Sequence, residues 1–316
     1  MHSTPGATDP RPAPSSDLCL TLATNHNPTE GGIQLKLASF VRNGQHSYGA
    51  VTGTGIVDLG ALLGKRFPDL KALLAADALE QAAAAIAGRQ ADCKIEEVEM
   101  LPVIPNPNKI WCCGLNYADH VRETQRDFTE QPTFFQRFAD SQVGHGQPLL
   151  RPRESTQLDY EAEIAVIIGT PGRRISRDDA ARHVAGYACY NDGSVRDWQR
   201  HTSQFAPGKN FYRTGGFGPW MVTADEIPFG TLMTLSARLN GQVMQQATTD
   251  MMLHDIARQI EYVSTIAPLE AGDVIVTGTP GGVGARRNPP VWMKDGDVIE
   301  IEIDRVGVLR NTIAVD

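Results

Sequence analysis

The chain has 316 residues, 41% hydrophobic and 21% charged, an ordinary balance for a globular protein long enough to bury a sizeable core. Lys and Arg together number 29 against 37 Asp and Glu, a formal charge of −8 without a basic stripe, which argues against a nucleic-acid partner. No window approaches the roughly 18 consecutive apolar residues of a membrane helix. The five cysteines (Cys19, Cys93, Cys112, Cys113, Cys189) lack C-x-x-C spacing, which speaks against a disulfide framework or a zinc site and for a reducing cytoplasm.

Residues 1–30 carry five prolines among Ser, Thr and Asn with no apolar periodicity, and are expected to form a disordered arm rather than a secretory signal. From Ile33 the pattern alternates (Ile33, Leu35, Leu37), and Asn43-Gly44 is a two-residue hairpin signal with a returning strand over 46–51. The Ala/Leu-rich stretch 69–87, stopped by Gly88, predicts a helix. These elements suggest a small α+β N-terminal domain over 31–103, ending near the proline-rich segment 101–108.

The remaining 104–316 read mainly as strand: 109–114, 133–138, 158–169, 186–190, 220–222, the arms of the Asn240-Gly241 turn, 273–277, 297–303 and 308–315, with Asp295-Gly296 a further turn. Helical patterns are fewer, over 117–125, 176–184 and 254–267. Strands and helices do not alternate regularly, so the fold class is α+β and β-rich rather than doubly wound.

The segment Leu158-Asp-Tyr-Glu-Ala-Glu-Ile-Ala-Val-Ile-Ile-Gly169 puts Glu161 and Glu163 on one face of a strand that is apolar on both faces further along, with Asp159 on the same face. Paired carboxylates there repel and lose hydration, costs that a divalent cation removes. Asp192 ends a second apolar strand at a Gly-Ser turn. Three carboxylates without Cys or His favour Mg²⁺ or Mn²⁺, with Ca²⁺ as a third candidate, over zinc. His120 and Glu123 stand i, i+3 on a helical pattern, so the carboxylate can orient the imidazole as a general base for water. Lys209 follows a glycine but lacks the phosphate-loop pattern, and the glycine-rich run 278–284 lacks the dinucleotide fingerprint. Each motif alone also has a plain structural reading: a strand beginning in solvent, a turn, a surface helix, a solvated lysine.

Their order along the chain resembles the fumarylacetoacetate hydrolase superfamily: G-L-N-Y-A-D-H-V-R-E, then L-D-Y-E-A-E-I-A-V-I-I-G, N-D-G-S-V-R-D-W-Q, G-K-N-F and L-E-A-G-D-V-I-V-T-G-T-P-G-G-V-G. The resemblance covers 101 to the C-terminus, with 33–100 similar to that superfamily's smaller N-terminal domain. It implies a β-rich roll that forms a homodimer. It also implies that Glu161, Glu163 and Asp192 hold one Mg²⁺ or Mn²⁺, that His120 and Glu123 activate water on a lid helix, and that Lys209 stabilises developing negative charge. Gln199 and Thr279 match substrate-facing positions, and Arg137 stands where many members carry Lys. The expected activity is hydrolysis of a C–C bond in a small 1,3-dicarbonyl or 2-oxo acid of acylpyruvate type, through an enolate. Isomerisation, tautomerisation or decarboxylation of related acids is the alternative, and a non-catalytic small-acid binder the contrasting class.

Overall fold

In a computed structural model of the chain, the structure describes residues 35–53 and 55–316, so the expected N-terminal arm and Ile33 lie outside the described residues. Two sheets face one another. The larger runs, edge to edge, through Cys93–Lys94, Gly55–Asp58, Gln45–Thr52, Lys36–Arg42, Gly215–Thr223, Val184–Asn191, Ala162–Ile168, Val274–Val276, Ile110–Gly114 and Thr133–Arg137. The smaller has five strands, in the order Gln242–Thr248, Thr234–Leu239, Val298–Ile303, Gly307–Val315 and Leu149–Arg151. This is the β-rich α+β architecture expected from the sequence.

The strand Ala162–Ile168 shows why its sequence is apolar on both faces. Ile164, Val166 and Ile168 pack into the core between the sheets with Leu235, Ile299, Ile301 and Leu309. Ala165 and Ile167, on the opposite face, pack with Leu70, Leu73 and Leu74 of a helix on the outer side. Every residue of the strand is buried, and truncating one of its Ile side chains to Ala costs about 2–5 kcal/mol. The five-stranded sheet alternates buried and half-buried residues over Thr234–Leu239 and Val298–Ile303, as a sheet with one wet face does.

The Asn43-Gly44 and Asn240-Gly241 turns form as expected, all four residues having positive φ, which matches the twist of the strands they join. Two helical expectations fail. The stretch 69–87 breaks into Leu70–Ala75 and Leu79–Ile86, because Asp77 takes φ +50 and turns the chain. Of 176–184 only a single 3₁₀ turn, Ala180–His183, is helical. The segment 158–169 is two strands, Leu158–Asp159 and Ala162–Ile168, with Tyr160 and Glu161 between them. The N-terminal strands are not a separate sheet: Lys36–Arg42 pairs directly with Gly215–Thr223.

Three neighbouring strands bring the acidic motifs to one end of the large sheet. Ala162 lies opposite Asn191, and the Asp192 amide donates to the Glu161 carbonyl at 2.9 Å. On the other side the Thr277 amide donates to the Ile164 carbonyl at 3.0 Å, which sets Gly278 beside Glu163. Val274–Val276 also runs parallel to Ile110–Gly114, so the loops after both strands open at that same end.

Candidate active site

Glu161, Glu163 and Asp192 each present a carboxylate oxygen within 4.8 Å of the others, and all three are buried. Glu161 reaches Lys209 Nζ at 2.7 Å with one oxygen and Arg196 Nη2 at 2.6 Å with the other. Asp192 contacts Lys209 Nζ at 2.7 Å and Arg137 Nη1. Glu163 accepts from the backbone amide of Gly278. Gly278 has φ +104, and a Cβ there would stand 2.6 Å from that of Asn116, so the approach that delivers this amide requires glycine.

Electrostatics divide the three acids. For Glu161 burial opposes ionisation, but Lys209 and Arg196 outweigh it and hold the carboxyl well below the usual range. For Glu163 burial, then the charges of Asp192 and Glu161, push the carboxyl well above it. Burial would lower Lys209, but Asp192 and Glu161 more than compensate and keep its ammonium charged. Asp159 pairs with Arg196 at 2.8 Å and caps the Gly284 and Ala285 amides at 2.8 and 3.0 Å. Four buried carboxylates thus meet three cations, Arg137, Arg196 and Lys209. With Glu163 keeping its proton, the other three carboxylates balance the three cations; a divalent cation would displace that proton and engage the hard oxygen donors, so the donor set fits Mg²⁺ or Mn²⁺.

Above these acids lies a cavity of 170 Å³, space enough for a small acid. His120, Glu161, Glu163, Gln199, Lys209 and Thr279 line it, so six of the nine residues expected from the sequence meet around one space. Glu123 stands behind His120, its Oε2 3.5 Å from the imidazole Nδ1. The Gly282 amide approaches both of its oxygens, at 3.1 and 3.2 Å. The helix Ala118–Thr124 that carries both residues is therefore docked on the glycine-rich loop.

Arg137 differs from expectation. Its side chain is fully buried and does not line the cavity. It ties Asp192 to the Gly193 carbonyl at 3.0 Å and to Thr214 Oγ1 at 3.0 Å, so it holds a carboxylate from outside the cavity lining.

Sequence reasoning missed a set of arginines. Arg196 lies in the N-D-G-S-V-R-D-W-Q motif, three residues before Gln199, whose Oε1 accepts from its Nη1 at 2.9 Å; that spacing was the available signal. Arg126, Arg200 and Arg286 are exposed at the cavity rim, and none forms an ion pair among the described residues. Partial burial and the charges of Arg196 and Arg286 hold Arg200 below its usual range, so Arg200 feels both of those neighbouring cations. Cys113 also lines the cavity, but burial and then Glu163 raise its thiol far above neutrality, so it stays a protonated wall residue.

The family model "Fumarylacetoacetate (FAA) hydrolase C-terminal" matches residues 109–314. The chain belongs to the fumarylacetoacetate hydrolase family. It is 39% identical over 238 residues to the oxaloacetate tautomerase fahd2, mitochondrial, of Xenopus laevis, covering 75% of each chain. It is 39% identical over 219 residues to human oxaloacetate tautomerase FAHD2A, mitochondrial, covering 69% of this chain and 70% of that one. Among solved structures it resembles a putative HpcE protein from Mycobacterium smegmatis, with TM-score 0.80 and 32% identity over 88% of this chain and 99% of that one. Maleylpyruvate hydrolase from Sphingobium sp. SYK-6, in complex with manganese(II) and pyruvate, matches with TM-score 0.74 and 30% identity over 89% and 99%. This fumarylacetoacetate hydrolase family chain is therefore similar to enzymes that include tautomerases, isomerases and hydrolases. No helix among its described residues is long and apolar enough to cross a membrane.

Proposed function

We propose that this chain is a metal-dependent enzyme that interconverts the keto and enol forms of a small 2-oxo dicarboxylic acid, oxaloacetate being the type substrate. One observation carries the reading: three buried carboxylates converge beneath a cavity whose lining includes three exposed arginines, Arg126, Arg200 and Arg286, that form no ion pair among the described residues. The floor suits the cation that a 2-oxo acid head chelates. The rim suits a second carboxylate, which an acylpyruvate with an apolar tail lacks. The similarity to oxaloacetate tautomerases supports the same choice.

Glu161, Glu163 and Asp192 would hold Mg²⁺ or Mn²⁺, which when bound supplies Lewis-acid polarisation of the substrate's oxygens, worth several kcal/mol. His120, buried and facing the cavity, takes the proton from the carbon beside the oxo group and delivers it to the oxo oxygen, so that the C–H bond lost becomes the O–H bond of the enol; the reverse path returns it to carbon. Glu123, fixed by the Gly282 amide, stands behind the imidazole and orients it. Lys209, charged and anchored between Glu161 and Asp192, stabilises negative charge as it builds on oxygen.

Hydrolysis of a C–C bond in an acylpyruvate-type acid is the second reading, and the His120–Glu123 pair favours it, because the same imidazole can activate water. The deciding experiment follows enol absorbance of oxaloacetate with Mg²⁺, alongside pyruvate release from acylpyruvates. Faster keto–enol exchange without acylpyruvate cleavage supports the first reading. Cleavage without exchange replaces it with the second, and neither activity over a range of metals refutes both.

A further inference from the structure

We propose that Gln245 is a positioning residue that turns the Thr279 hydroxyl into a hydrogen-bond donor toward the bound acid; the inference rests on the cavity being a 2-oxo acid site. Gln245 comes from the edge strand Gln242–Thr248 of the smaller sheet and is only 2% exposed. Its Oε1 accepts from the Ala162 amide at 2.9 Å, and its Nε2 donates to Thr279 Oγ1 and to the Pro280 carbonyl, both at 2.8 Å. Ala162 sits between Glu161 and Glu163, so one side-chain amide bridges the acidic segment and the loop that forms the opposite cavity wall.

The chemistry of the partners fixes the amide's orientation. A backbone N–H can only donate and a proline carbonyl can only accept, so the amide oxygen must face Ala162 and the NH₂ must face Pro280. The reverse orientation would set donor against donor and acceptor against acceptor. Both Nε2 hydrogens are then committed, one of them to Thr279 Oγ1. A hydroxyl whose oxygen already accepts from an NH₂ must point its own proton elsewhere. No acceptor among the described residues takes that proton, and Thr279, 3% exposed, lines the cavity. A bound oxyanion or carboxylate supplies the missing acceptor. Without Gln245 the hydroxyl is free to rotate, and its donor role is no longer preset.

Gln245 also has a purely structural role through Ala162 and Pro280, and a double-mutant cycle separates the two. The probe is oxalate, a flat dianion that can chelate a cation with two oxygens and present the other two to nearby donors. Its affinity for the Mn²⁺-loaded full chain is measured by calorimetry, with thermal unfolding in parallel. Thr279→Val is expected to weaken oxalate about tenfold, the scale of one hydrogen bond to a charged group, and Thr279→Ser to stay within threefold of wild type. Gln245→Met is expected to weaken oxalate at least threefold alone but less than twofold in the Thr279→Val background. Its thermal destabilisation is expected to be the same in both backgrounds. Fully multiplicative losses of affinity, or a Thr279→Val protein that binds oxalate as wild type does, overturn the inference while leaving the oxo-acid reading intact. Failure of wild type to bind oxalate at all overturns that reading and this inference with it. Should Gln245→Met not fold, Gln245→Leu replaces it, and the Thr279→Val against Thr279→Ser comparison still decides whether the hydroxyl donates.

Discussion

Arg137→Met separates a residue that holds a carboxylate from one that touches substrate. The guanidinium is fully buried, pairs with Asp192 and donates to Gly193, Thr214 and Ser141. Removing it leaves a buried carboxylate short of one cation and a carbonyl without its donor. Breaking a buried pair this way costs about 3–5 kcal/mol. At about 2–4 °C per kcal/mol for a chain of this size, the metal-free variant should unfold roughly 6–20 °C below wild type. Because the acidic cluster is then one charge more negative, saturating Mn²⁺ should restore more stability to the variant than it adds to wild type. Thermal unfolding by circular dichroism, with and without Mn²⁺, reads both effects. A variant that unfolds within 2 °C of wild type but needs tenfold more substrate would show that Arg137 reaches the cavity after all.

Three other outcomes follow from the same geometry. In the metal-free protein burial, then Asp192 and Glu161, raise the Glu163 carboxyl, so it keeps its proton to higher pH than a free carboxyl and a bound cation must displace it. Metal affinity should therefore rise with pH until Glu163 ionises unaided, with about one proton released per ion; calorimetry in two buffers of different ionisation enthalpy measures the release. His120→Ala should lower turnover by about 10²–10⁴-fold, the range of general acid–base catalysis, while Mn²⁺ affinity stays within twofold; retained turnover would remove the imidazole from the mechanism. Arg200→Gln and Arg286→Gln should each raise KM for a 2-oxo dicarboxylate more than for the 2-oxo monocarboxylate of equal length, and steady-state kinetics showing equal changes would reduce the rim to a diffuse field.

Local patterns that act alone were legible in the sequence. The Asn-Gly turns were, because two positive-φ residues in a row are a strong constraint. So was the doubly apolar run 164–168, because only a strand buried on both faces tolerates it. The carboxylates at 161, 163 and 192 were visible as separate motifs, and their meeting followed only from their order along the chain. What escaped depended on long-range partners. Arg137 reads as an available cation until Asp192, 55 residues away, takes it up. Gln245 carries no local signal, since its partners lie 83, 34 and 35 residues off. The break at Asp77 was hidden because the alanines around it favour helix, while the turn is set by packing on the sheet.

The most direct measurement is titration of the metal-free protein with Mn²⁺ by calorimetry, repeated on Glu161→Gln, Glu163→Gln and Asp192→Asn. One ion per chain is predicted for wild type, with at least a hundredfold loss of affinity in each variant whose fold is retained. Unchanged binding in those variants, or none by wild type at millimolar Mn²⁺, would contradict a cation site built from these three carboxylates.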